Sequence, residues 1–530
     1  MVDAPVGQGA ESRARVAETL VVGAAGIWLG IHAVRAFLTM VTWNAAEDAP
    51  PAYMASVAFG VWAVGMLVGP ATRLAGGPRP VWRFGLLLGL LSVARQAVVG
   101  EFITPALSFA SLVLWLWWLP AFLRAFTRAG FGRLIAPAVS LGVAAQVAGQ
   151  AAMHGLDLPM MRGFWSVLGA ALLAGAFLVA LWRSTAPAAQ AGTAPPPTAH
   201  GEGMGAVGLF LFLFLQLTLA ANLGLIQMMT GWGLPGATAL ALTGLAAGVA
   251  LMAWAPRLPG NLGLGLLSVA AAYGSMTASW VGWLLVPLQA LLGALLAASF
   301  APGRDRNPDR AAVGGGLLFV VLVFLYYSRY GWPALWPLAV AAMAALAMRG
   351  GRTSSKWELR PLVALALVAL AGVSLSLLPF SRAVPASAPI TGEVTVFNYN
   401  IHQGLDTFSL PSMQQIADLI ERADADLVAL QEVNRGWNLS GGVDLVAWLR
   451  WRFPDYHVIY GPMNGELWGN IIMSRYPVSD WGVRRFPAGV SNFPRGLVWA
   501  EVEAAGGSIL MASTHLTPYA GFEADRNAQA

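Results

Sequence analysis

Four polar residues near the C-terminus each stand at the end of an apolar, β-rich run. VTVFNYN ends on Asn400, LVALQ leads into Glu432, GNIIMSRYPV carries Asn470, and the STHL segment carries His515. Strands of one sheet would bring these ends together. Amides, a carboxylate and an imidazole so gathered suit hydrolysis of a phosphate ester. That reaction needs the anionic charge neutralised, a water activated and the leaving oxygen stabilised, and a divalent ion on carboxylate oxygens assists all three. Glu432 is the candidate ligand, because a carboxylate placed after the apolar run 427–430 is costly unless it emerges to meet a cation. Taken alone, Asn400 could equally be a turn former that ends a strand.

Taken together, the segments 394–404 (VTVFNYNIHQG), 427–433 (LVALQEV), 469–478 (GNIIMSRYPV) and 513–516 (STHL) resemble the motifs of the endonuclease/exonuclease/phosphatase superfamily. These metal-dependent phosphoesterases include pancreatic-type deoxyribonucleases, inositol polyphosphate phosphatases and neutral sphingomyelinases. The resemblance spans about 391–530 and implies a DNase I-like α/β sandwich. It further implies that Glu432 and Asn400 hold Mg²⁺ or Mn²⁺, with Asn400 orienting both Glu432 and the metal-bound phosphate. His515 would hydrogen-bond a phosphate oxygen and stabilise transition-state charge. Asn470 and Arg495 would line the cleft, and His402, next to Gln403, would contact substrate. NIHQG, 440–449 (SGGVDLVAWL) and 467–478 (LWGNIIMSRYPV) look in addition like the domain found in membrane-embedded proteins of GPI-anchor lipid remodelling and their prokaryotic relatives. Family members continue with a GDxN segment and a terminal Asp and His pair, which act on the nucleophile and in proton transfer. The sequence ends at Ala530 before either, and 525–529 resembles the start of a helix inside the domain. The expectation is therefore a partial, truncated sandwich that is inactive by itself.

The elements that would position these residues are legible. Strands are expected over 393–399, 427–431, 457–460, 469–473, 497–502 and 508–514, with a hairpin turning at 504–507. Met413, Ile416, Leu419 and Ile420 mark one face of a helix between the first two strands, and a second helix is expected across 443–453.

The rest of the chain is of another kind. With 530 residues, 57% hydrophobic and only 11% charged, the protein is read as a polytopic α-helical membrane protein. Thirteen runs long enough for a span occur between residues 17 and 380. The organisation expected is six helices in 1–183, a Pro/Ala/Gly-rich linker at 184–203, seven helices in 204–380, a tether at 381–390 and the C-terminal domain at 391–530. Basic residues crowd alternate loops, seventeen against two (Arg162 and Arg329). By the positive-inside rule this places the N-terminus in the cytoplasm and, after an odd number of spans, the C-terminal domain outside it. Cysteine is absent, which excludes disulfides and thiolate metal sites.

Charge divides the chain as well: residues 1–390 carry net +11 and residues 391–530 net −6, with no lysine in the latter. A net-negative domain argues against nucleic acid, which calls for a basic groove. The partners expected are the lipid bilayer and a phosphoester, lipid-linked or otherwise, at the outer face. An extracytoplasmic nuclease and a non-enzymatic lipid-binding or transport protein with a relic domain are the competing readings. Within the helices, Gln146, Gln150 and His154 share one face and Arg35 and Arg95 are charged; interhelical hydrogen bonding is preferred to a ligand pocket. Trp115, Trp117 and Trp118 are expected in an interfacial belt.

Overall fold

Apolar runs of this length can satisfy their backbone in a bilayer only as helices, and helices fill the first part of the chain. A computed structural model describes residues 6–44, 51–74, 80–129, 131–185, 203–252, 261–274, 279–300, 308–328, 332–349, 360–377, 388–486, 494–517, 521 and 523–529. Most of the expected linker and tether lies outside these. Among the described residues six helices are long and apolar enough to cross a membrane: Ala14–Trp43, Ile103–Thr127, Gly132–Ala152, Phe164–Ser184, Leu234–Met252 and Gly282–Ser299. A bent pair, Gly205–Ala220 with Leu223–Thr230, makes a seventh. The protein is thus a multi-pass membrane protein, with six or seven spans by this measure against the thirteen expected. Five other apolar runs form shorter helices, such as Ala55–Gly65 and Ala311–Tyr327. The expected span at 52–72 is one of these, because a turn at Met66 and Leu67 breaks it before Val68–Leu74.

Small residues let the helices approach closely. A Cβ placed on Gly293 would fall 2.7 Å from the Gly248 Cα. The same device overturns the expected aromatic belt at two positions. Trp115 and Trp118 are buried, at 1% and 0% exposure, because Gly26 and Gly30 on the first helix leave room for their rings.

The C-terminal domain is built from two sheets. The first has the order β1-β2-β4-β3, with β1 Val396–Asn400, β2 Leu427–Asn434, β3 His457–Asn464 and β4 Trp468–Ser474. β1 and β2 run parallel, joined by the helix Met413–Ala423, and the remaining pairs are antiparallel. The second is an antiparallel meander of β5 Val478–Arg485, β6 Gly496–Ala504 and β7 Gly507–Thr514. Alternation along β2 sorts the core into two layers. Leu427 and Ala429 join Ile472, Val498 and Val502 between the sheets, while Val428 and Leu430 join Ile416, Ile420 and Leu449 under the helices. The helix expected over 443–453 is present as Leu445–Arg452. β5 was not expected: its residues are largely exposed, so the segment lacks the apolar alternation that marks a strand. Ile390 bridges to Ala504, so the fold reaches one residue into the segment read as tether.

Candidate functional site

The sheet does for Glu432 what its sequence context required. The pairing of β2 with β4 shifts register between Leu430 and Val433, leaving Gln431 and Glu432 in a bulge. Glu432 adopts φ +59°, a left-handed conformation disfavoured for any residue with a Cβ. Bulges re-aim side chains at the ends of pairing. The alternation that would drive Glu432 into the core is broken here, and the carboxylate is half-buried on a cavity wall.

Asn400 closes β1, the edge strand beside β2. Its Nδ2 donates to Glu432 Oε1 at 3.2 Å, and its Oδ1 accepts from the His402 amide at 2.9 Å. His515 follows β7 and reaches Glu432 from the second sheet, with Nε2 3.6 Å from the same Oε1. Arg495, just before β6, is buried, sits over the Trp468 ring and places Nη1 2.6 Å from His515 Nδ1. A guanidinium only donates. Nδ1 must therefore accept, and a neutral His515 carries its proton on Nε2, toward Glu432. Burial, with the Arg495 charge second, pushes the imidazole from 6.5 down to about 4. At neutral pH the ring is an uncharged donor.

Asn470, on β4, lies opposite the bulge and is fully buried. Its Nδ2 contacts the Ser513 carbonyl at 3.4 Å, and its Oδ1 has no hydrogen-bond partner. His402 stands at the other side of the site with its ring edge-on to Trp43 of the first helix, centroids 5.5 Å apart. Asn400, Glu432 and His515 are thus brought together, Arg495 joins them through His515, and Asn470 and His402 flank the bulge and β1.

Three supporting groups escaped sequence reading. Gln431, the other bulge residue, donates to Asn398 Oδ1 at 2.8 Å and Ser513 Oγ at 3.0 Å, tying the two sheets together beneath the site. Ser513 lies two residues before His515, so strand alternation could have shown that it points inward. Nothing in sequence spacing indicates Trp43, some 360 residues from His402.

Among the described residues no group of three or more His, Asp or Glu side chains could by itself hold a metal ion. The available donors are the Glu432 carboxylate and the remaining lone pair of Asn400 Oδ1. A hard ion such as Mg²⁺, which keeps several waters and takes one or two carboxylates with substrate phosphate oxygens, fits that set; zinc, which prefers nitrogen and sulfur, does not.

Glu432, Asn400 and His402 open onto a cavity of about 1290 Å³. One wall is polar, with Asp406, Gln415 and Arg422; the other comes from the helical region, with Met40, Val57, Phe102 and Phe109.

Residues 398–502 match the family described as Endonuclease/Exonuclease/phosphatase family. At family level, such a domain implies a hydrolase of phosphoesterase or nuclease type. The chain is similar to the crystal structure of an endonuclease/exonuclease/phosphatase from Beutenbergia cavernae DSM 12333, with 23% identity and a TM-score of 0.21, over 26% of this chain and 42% of that one. It therefore spans less than half of that protein. It is also similar to two crystal structures of a bacterial homologue of the human lysosomal transporter Spinster, both inward-facing, one unoccupied and one occupied. Both show 14% identity and a TM-score of 0.33, over 69% and 71% of this chain and 96% and 98% of theirs. No curated protein matches the chain.

Proposed function

We propose that the chain is a membrane-embedded, Mg²⁺- or Mn²⁺-dependent phosphoesterase acting on a lipid-linked phosphoester at the extracytoplasmic face. One observation carries the choice of substrate: the cavity that meets Glu432 has a far wall supplied by the helical region, apolar at Met40, Val57, Phe102 and Phe109 and charged at Glu101. A phosphate at Glu432 and His402 would leave an attached acyl or isoprenoid chain against Phe102, Phe109 and Val57. The net −6 of residues 391–530 supports this over a nuclease, and the skew of basic residues supports a cytoplasmic N-terminus, which an odd number of spans, seven with the bent pair, would pair with a site outside.

Glu432, oriented by the Asn400 amide, would hold the ion together with Asn400 Oδ1. Bound there, the ion supplies charge neutralisation and water activation. The chain's own groups do the rest. Arg495 holds His515 in the Nε2–H tautomer, so a neutral donor faces the phosphoryl oxygen on which negative charge grows, with the guanidinium charge behind it. Such fixed donors cost no reorganisation during reaction.

The direct test is Mn²⁺ binding to the purified chain, followed by electron paramagnetic resonance, with Glu432→Gln expected to lose the bound ion. Turnover is then compared between a phospholipid in vesicles and its headgroup phosphoester in solution. Equal Mn²⁺ binding by wild type and Glu432→Gln sinks the ligand assignment. Indifference to the lipid chain sinks the substrate class.

A further inference from the structure

The helical region grips one loop of the C-terminal domain, residues 436–444, from two sides. The first grip is the bent pair of helices. Gly203–Leu215 runs into a π-helical turn, Gln216–Ala220, and the chain resumes as Leu223–Thr230 at an angle of 45°. A break inside an apolar span frees backbone carbonyls that lipid cannot satisfy. Here the Leu217 carbonyl is satisfied from both regions: Asn438 Nδ2 of the C-terminal domain donates to it at 2.7 Å, and Asn222 Nδ2 at the break donates at 3.3 Å. Asn222, at the break, returns the contact by donating Nδ2 to Gly436 O at 2.7 Å, while its Oδ1 caps the next helix by accepting from Leu225 N at 3.1 Å. Backbones meet so closely that a Cβ on Gly224 would fall 2.0 Å from Arg435 O.

The second grip centres on Gln150. Its Nε2 donates to Gly442 O at 2.9 Å, and its Oε1 accepts from Arg35 Nη1 at 3.2 Å. The same Arg35 nitrogen lies 2.6 Å from the carboxylate of Asp157, which is fully buried and also meets His32 at 2.9 Å. An ion pair so enclosed fixes orientation more than it adds stability.

The gripped loop leads directly into the site. Asn434, two residues past Glu432, folds the loop back by accepting from Trp437 N at 2.6 Å and donating to Ser440 O at 3.0 Å. The Ser440 hydroxyl in turn donates to Gln403 Oε1, beside His402. Gln403 is itself held at φ +59°.

We propose that the broken helix and the Gln150–Arg35–Asp157 cluster are positioning elements for the site. Acting through the 436–444 loop, they set the placement of Glu432 and His402, so the helices define the geometry of the centre as well as anchoring it. The metal arm of the test rests on the Glu432 assignment above; the exchange arm does not.

The experiment uses two variants of the full chain in detergent. Asn222→Asp keeps an acceptor for Leu225 N and removes the donor to Gly436 O, together with the longer one to Leu217 O. Gln150→Glu keeps the acceptor for Arg35 and removes the donor shared by Gly442 O and Gly155 O. Amide hydrogen exchange and Mn²⁺ affinity by electron paramagnetic resonance are measured on each. The expected result is faster exchange confined to 433–444 and Mn²⁺ affinity weaker by about tenfold, the scale typical of lost supporting contacts around a metal. Wild-type exchange and affinity in both variants overturn the proposal. So does acceleration spread equally over β6 and β7, which marks general loosening. If the wild-type chain binds no Mn²⁺, the ligand assignment fails, and the exchange comparison still decides the positioning role.

Discussion

Replacing Arg495 by Leu tests how the imidazole of the site is held. With Nη1 2.6 Å from Nδ1, Arg495 fixes the tautomer of His515 and adds to the burial that takes the ring from 6.5 to about 4. That gap corresponds to about 3 kcal/mol in favour of the neutral form. Between these two values the native ring binds fewer protons than the unfolded one. Its contribution to stability is therefore complete above pH 6.5 and is lost progressively as pH falls toward 4. Arg495→Leu removes the second cause and keeps the first, so the midpoint should rise while staying below the ordinary histidine value. The acid-induced loss of stability should shrink in parallel. The assay is an NMR titration of isotope-labelled histidine in detergent with divalent ions chelated, alongside thermal melts at pH 7 and pH 5. Six histidines are few enough to assign the signal with a His515→Gln variant. A wild-type ring titrating at or above 6.5, or a midpoint indifferent to Arg495, refutes the reasoning.

The left-handed backbone of Glu432 predicts that Glu432→Gly melts higher than Glu432→Ala by roughly 1 kcal/mol, while neither binds Mn²⁺. Ile472→Ala, at a fully buried position between the sheets, should cost about 3 kcal/mol in a thermal or urea melt of the C-terminal domain within the full chain. Gly293→Val should push two helices apart against Gly248 and lower thermal stability in detergent by about 2 kcal/mol. In the cavity, Phe109→Ala should slow turnover of a lipid-linked phosphoester more than that of its soluble headgroup; equal effects on both substrates count against the cavity as a lipid site.

The site was legible where strand periodicity and polar termini coincide. Asn400, Glu432 and His515 each close an apolar run, and the structure gathers them around one carboxylate oxygen. What periodicity cannot carry is a departure from itself. The bulge at Gln431 and Glu432 depends on the pairing partner β4, which no local pattern reveals. The exposed β5 lacked alternation for the same reason that the belt assignment failed at Trp115 and Trp118: burial is set by the neighbour, here by Gly26 and Gly30. The polar residues at 146 and 150 were read as interhelical hydrogen bonders: Gln146 donates to Gln150 Oε1 within its own helix at 3.1 Å, while Gln150 Oε1 also accepts from Arg35 of the first helix at 3.2 Å. That Gln150 also reaches a loop 292 positions away is a fact of tertiary structure alone.

The interrupted helix bears on how the protein is made. Leu217 enters the membrane 221 residues before Asn438 is synthesised, an interval of roughly 10–45 s at ribosomal speeds. For that time the Leu217 carbonyl has the Asn222 amide, at 3.3 Å, as its side-chain donor. The later domain then adds the shorter contact from Asn438, so insertion and domain closure are successive stages of one assembly event.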